Sequence, residues 1–204
     1  MRFVRQSLLA ALAALAAFAL LAAPASTHAG DTYVALKGGV WVPTASDGFG
    51  AINDAGAAIA SGKFPASGDV ELAFGATLGI IGAQIAGGYM WSSQVVDGTT
   101  VNANAVPLYV LGQLRLPIFF IQPYLELGIG GLANFASASG GGISLSATKY
   151  SFLAIGGAGV DFILGPILLG AEARYMYVTE QTFTSGASMK LSGVIITANV
   201  GYVF

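Results

Sequence analysis

Lys37, Glu126, Asp161, Glu172 and Arg174 are the residues best placed to do chemistry, because charge is scarce around them and alternation with period two turns each away from an apolar face. Gathered in one interior, two cations and three carboxylates make an ion-pair and hydrogen-bond network. Such a network can gate a narrow passage or fill it as a static plug, and the plug is favoured because buried charges need partners merely to be tolerated. Catalysis is poorly served. The single histidine, His28, lies in the leader, so Ser-His and Asp-His mechanisms are closed to the mature chain. Asp47, Asp54 and Asp69 match no EF-hand spacing. Gly128–Gly131 and Gly140–Gly142 neither open a helix nor precede Lys-Ser/Thr, so they cradle no phosphate. The expectation is a protein that is not an enzyme and holds no cofactor or metal.

The elements that must position these charges begin after a leader. Arg2 and Arg5 precede the Ala/Leu run from Leu8 to Ala23, and Thr27-His28-Ala29 offers the small residues a signal peptidase needs, so residues 1–29 are expected to be removed and 30–204 to form one domain. Six cations, Lys37, Lys63, Arg115, Lys149, Arg174 and Lys190, face ten carboxylates in that domain, and no basic cluster supports a nucleic-acid partner. Cysteine is absent, which removes disulfide and thiol chemistry. With 55% hydrophobic residues, 9% charged and a mean hydropathy of +0.73, the chain calls for a non-aqueous solvent. Inside a bilayer only helices and closed β-barrels satisfy every backbone group.

Periodicity decides for the barrel. The expected strands are Thr32–Pro43, Val70–Ile80, Ala83–Ser93, Asn102–Leu114, Tyr124–Phe135, Thr148–Leu164, Ile167–Val178 and Met189–Phe204. Short turns are expected at Ile81-Gly82, Arg115–Gln122 and Gly165-Pro166, and longer connections at Thr44–Gly68, Gln94–Thr100, Ala136–Ala147 and Thr179–Ser188. The first of these has room for a turn or two of helix around Asn53–Ala60. Eight antiparallel strands with short turns on one side and long loops on the other make an all-β, up-and-down transmembrane barrel. Its fourth strand hides its phase in an apolar run containing Pro107. The helical alternative fails on Gly165-Pro166, which bisects the best span, and on the shortness of Leu191–Phe204. Aromatics gather at both strand ends, with Trp41, Trp91, Phe135, Tyr150, Phe152, Tyr175 and Tyr177 toward the loops. Phe119, Phe120, Tyr124, Phe162, Tyr202 and Phe204 lie toward the turns, as interfacial girdles require. Trp41 has inward parity unless Gly38-Gly39 hosts a bulge.

The strand Tyr33-Val-Ala-Leu-Lys-Gly-Gly-Val-Trp41, the segment Pro123-Tyr-Leu-Glu-Leu-Gly-Ile-Gly-Gly131, Glu172-Ala-Arg-Tyr175 and the tail Tyr202-Val-Phe204 resemble the small eight-stranded OmpA/OmpX-type outer-membrane barrels. The resemblance implies residence in the bacterial outer membrane and a monomer solvated by lipid. It also implies short turns facing the periplasm and a C-terminal strand read by the outer-membrane assembly machinery through Tyr202 and Phe204. Gly201 departs from the usual signal by one position. The implied role is structural or surface-interacting, with loops contacting an external ligand around a closed polar lumen. The alternative is an OmpW-like narrow channel for small apolar molecules, for which the many small inward glycines leave room.

Overall fold

The computed structural model describes residues 31–44, 66–96, 99–140, 143–179, 181–182, 188–189 and 192–204. The leader, its cleavage site and the possible helical turns at 53–60 lie outside the described residues. Alternating side chains build β1 (Thr32–Pro43), β2 (Ala66–Leu78), β3 (Ile81–Val96), β4 (Thr99–Arg115), β5 (Ile121–Gly140), β6 (Ile143–Leu164) and β7 (Ile167–Val178). A two-residue ribbon of β8 (Gln181–Thr182) and β9 (Ser188–Met189) stands apart, and β10 (Gly193–Val203) completes the set. Each long strand pairs antiparallel with its chain neighbour, and β10 returns to β1 from Tyr33↔Val203 to Pro43↔Gly193, closing an eight-stranded barrel.

The stagger of the closure can be followed residue by residue. From Tyr33 the partners run Gly75, Gln84, Leu111, Gly128, Ile155, Met176, Gly193 and back to Pro43, ten residues further along the starting strand. With eight strands about 4.8 Å apart and a rise of about 3.3 Å per residue, this stagger tilts the strands by about 40°. The interior is then just wide enough for side chains to fill.

The burial pattern is the reverse of a water-soluble protein's. On β7 the inward Leu168, Glu172, Arg174, Met176 and Val178 are buried, while Ile167, Leu169, Ala171, Ala173 and Tyr177 are exposed. Leu125, Leu127 and Ile129 on β5 and Leu108, Val110 and Leu114 on β4 likewise point outward. A continuous apolar outer face around a polar centre suits hydrocarbon and not water.

β1 and β7 fall on the expected bounds, and several other boundaries move. The β2–β3 turn is Gly79-Ile80, two residues before the expected Ile81-Gly82. Gly79 has φ +62° and Gly165, in the β6–β7 turn, +64°. A two-residue hairpin turn of this hand needs positive φ at its first central position, which glycine supplies without a steric penalty. The connections expected at Gln94–Thr100 and Ala136–Ala147 are largely strand, since β3 pairs with β4 out to Val96↔Thr99 and β5 with β6 out to Gly140↔Ile143. Their Ser, Ala and Thr residues read as loop, yet each added pair satisfies backbone donors and acceptors against an existing ladder. Arg115 and Asp69, both outside the expected strands, belong to β4 and β2. Pro107 does not end β4. The β3–β4 pairing lapses between Gly87↔Leu108 and Met90↔Ala105, whereas Pro107 keeps Leu132 as its partner on β5.

The β1–β10 seam depends on one glycine. A Cβ on Gly39 would strike the Ile196 carbonyl and lie 2.7 Å from Thr197 Cα, both backbone, whereas a Cβ on Gly38 meets nothing within 4 Å. Gly39→Ala is therefore expected to destabilise the barrel by about 1–3 kcal/mol through overpacking that no rotamer can relieve. Gly38→Ala should leave it unchanged, and urea unfolding of the two variants in lipid vesicles measures the contrast.

Candidate functional site in the barrel interior

Inward alternation on β1, β2, β5 and β7 brings charged groups from distant parts of the chain around Arg174. Its guanidinium lies 2.8 Å from Glu71 Oε2 through Nη2 and 3.0 Å from Glu172 Oε1 through Nε. Asp69 and Glu126 stand further off at 3.8 and 4.0 Å. Nη1 donates to the Tyr109 hydroxyl, which in turn donates to Glu71 Oε2 at 2.5 Å. Glu172 is the most heavily solvated carboxylate. It receives Lys37 Nζ on both oxygens at 3.0 and 2.8 Å, the Tyr124 hydroxyl at 2.8 Å and the Thr197 hydroxyl at 3.0 Å.

A second group sits nearer the turns. Arg115 Nη1 donates to Asp161 Oδ2 at 2.8 Å, Nη2 to the Tyr33 hydroxyl at 3.0 Å, and Nε to Gln113 Oε1 at 3.0 Å. The Arg115 guanidinium is also stacked between two rings, 4.7 Å from the centre of Tyr124 and 5.1 Å from that of Tyr33. Gln113 Nε2 donates to Glu126 Oε2 at 3.0 Å and so ties this group to the Arg174 cluster. Tyr33 and Tyr124 lie against Gly75 and Gly159, their cross-strand partners, where a Cβ would occupy the space of each ring.

Among the described residues the buried carboxylates, Asp69, Glu71, Glu126, Asp161 and Glu172, outnumber the buried cations, Lys37, Arg115 and Arg174, by five to three. Neutral donors from Tyr109, Tyr124, Thr197 and Gln113 therefore share the work of stabilising negative charge in a buried site. Toward the loops the inward positions turn largely apolar. Trp41, Met90, Leu132, Leu153, Met176 and Ile195 form a buried layer directly beyond Arg174. This layer contributes packing and no chemistry. Among the described residues no group of three or more Asp, Glu, His or Cys is placed to hold a metal ion.

All five charges singled out from the sequence point inward, and the structure joins them through Glu172 and Arg174 on one side and Asp161 on the other. Sequence reasoning did not name Asp69, Glu71 and Arg115 as members of the network, or the neutral partners Tyr33, Tyr109, Gln84, Gln113 and Tyr124. Glu71 and Gln113 carry a usable signal in their parity, since each shares a face with a buried charge on its own strand. Tyr124 and Trp41, expected among the girdle aromatics, face the interior, so they do not serve as interface anchors. Tyr202 and Phe204 face outward and pack edge to face with centroids 5.1 Å apart.

Removing Arg174 would leave Glu71 and Glu172 buried with their main counter-charge gone. Arg174→Ala is expected to cost about 3–5 kcal/mol of barrel stability. Arg174→Lys should recover part of that loss, because one ammonium cannot span Glu71, Glu172 and Tyr109 as a guanidinium fork does. Urea midpoints of the two variants in vesicles check the order.

Comparisons with known proteins agree with this architecture. No protein-family model matches the chain, and no curated protein does. Among solved structures, a major outer membrane protein from Thermus thermophilus superposes with a TM-score of 0.57 at 12% identity, covering 87% of this chain and 100% of that one. Neisserial surface protein A gives 0.54 at 12%, covering 86% and 97%. Ail, the attachment invasion locus protein of Yersinia pestis, gives 0.51 at 15%, covering 86% and 99%. The chain has the fold of the small eight-stranded outer-membrane β-barrels.

Proposed function

We propose that this protein is an integral outer-membrane barrel that works as a closed scaffold, holding its loop end toward the surroundings for structural or surface-interaction purposes, and that it is not an enzyme. The observation that carries this reading is the interior itself. Arg174, wholly buried, bridges carboxylates contributed by β2 and β7, and the Trp41–Met90–Leu132 layer packs beyond it. Ion transfer through such a core would have to break several charge-assisted hydrogen bonds together. Lipid is the solvent of the outer face, and a monomer suffices because closure leaves no strand edge unpaired. Tyr202 and Phe204 are proposed as the signal read by the assembly machinery. Deleting Tyr202–Phe204 is expected to lower the amount of protein in the outer membrane several-fold without changing what the loops bind.

A narrow channel for small apolar molecules is the second reading, favoured by one observation. The lapse in β3–β4 pairing at Gly88-Tyr89 and Val106-Pro107 lies beside Met90 and Ala105 of the apolar layer and offers a weak place in the wall. Planar-bilayer recording separates the two. The closed scaffold predicts no steady conductance from the wild-type protein and openings in Glu172→Gln, where Lys37 and Arg174 lose their shared anion. Steady wild-type currents that apolar solutes block would favour the channel.

A further inference from the structure

We infer that the β4–β5 turn is a membrane anchor: an apolar peg, tipped by Phe119, that inserts among the acyl chains of the leaflet at the turn end of the barrel. The inference rests on the reading of the barrel as membrane-spanning. Three short turns share this end, and two of them place glycine at the position that needs positive φ, Gly79 at +62° and Gly165 at +64°. The third places Phe119 there at +59°, and it is the one described residue other than glycine with positive φ. An aromatic side chain in that backbone conformation is strained, and such strain persists where the side chain has a use that glycine cannot serve.

The surroundings indicate the use. Leu116, Pro117, Ile118, Phe119, Phe120 and Ile121 form an unbroken apolar run where a turn in water would carry Asn, Asp or Ser. Phe119 is 95% exposed, so its ring does not repay the strained backbone by packing inside the barrel. It stands edge to face on Phe120, centroids 6.1 Å apart, and Phe120 lies 6.5 Å from Phe162 on the outer wall. Phe162 shares the outer face with Leu164, two residues on, and with its cross-strand partner Leu169. The peg is thus continuous with the surface that already needs hydrocarbon, which selects lipid over a water-borne partner as its occupant.

The protein has no cysteine, so a nitroxide on Phe119→Cys reports one position. In the purified protein reconstituted into phospholipid vesicles, the label is expected to collide with oxygen and to be shielded from a water-soluble nickel chelate, as at the lipid-facing control Leu127→Cys. Collisions with nickel at 119 but not at 127 would overturn the anchor and leave the spanning barrel intact. Shielding from both reagents would overturn it in favour of a protein cover. Nickel collisions at both positions would sink the membrane reading and the anchor with it. If Phe119→Cys does not fold, Phe119→Trp is read against a Trp91→Phe background, because the native Trp91 already faces outward. Quenching of the added emission by brominated acyl chains reports the same depth, and lack of that quenching rejects the proposal. Phe119→Gly should keep the barrel closed, since glycine holds this φ in the sister turns. A label at Ile118→Cys in that background should then become several-fold more accessible to nickel, and unchanged accessibility would count against the peg.

Discussion

The guanidinium of Arg174 is the constraint on which the rest of the molecule depends. A charge sealed behind a wall that faces hydrocarbon cannot borrow water, so its counter-ions must come from the wall itself. Glu71 and Glu172 supply them from two strands distant in sequence, and Tyr109 completes the fork. These groups meet only if the strands are tilted as they are. Shifting any one strand by a residue would turn its charge toward lipid and an apolar side chain toward the guanidinium. Register, tilt and charge placement are therefore one condition expressed three ways.

Space is managed with equal strictness. Near the turns the interior admits Tyr33 and Tyr124, with Arg115 between their rings, because Gly75 and Gly159 yield the room their Cβ atoms would take. Nearer the loops Met90, Leu132, Leu153 and Met176 fill the section instead. The outcome is a core in two tiers. The polar tier fixes which strands lie opposite one another through directional bonds, and the apolar tier closes the column without directional demands.

Much of this was legible in the sequence. Period two is clean on β5, β6 and β7, where a few charges mark the phase among Leu, Ala and Gly, and the positions of Glu126, Asp161, Glu172 and Arg174 follow from it. β4 shows why the rest was not. Its stretch from Val106 to Leu111 carries no charge on either face, with Leu108 and Val110 outward and Pro107, Tyr109 and Leu111 inward, so alternation gives no phase and Arg115 reads as a turn residue. Tyrosine is ambiguous for a different reason: a phenol suits a membrane interface as well as a buried carboxylate, and only the three-dimensional neighbour of Tyr124 distinguishes them. Boundaries such as Gly79-Ile80 escaped because two glycines lie three residues apart and either could turn the chain.

The seam between β1 and β10 also shapes how the barrel can come into being. Phe204 N–H donates to the Thr32 carbonyl at 2.8 Å, and Tyr33 pairs with Val203, so the contacts that close the cylinder join opposite ends of the domain. Until they form, two bare ladders of backbone donors and acceptors face outward in a chain with little charge to discourage intermolecular pairing. Closure is thus the contact of longest sequence separation and the one that removes the hazard. Those edges stay open to pairing for the whole interval between synthesis and the meeting of Gly39 with Thr197.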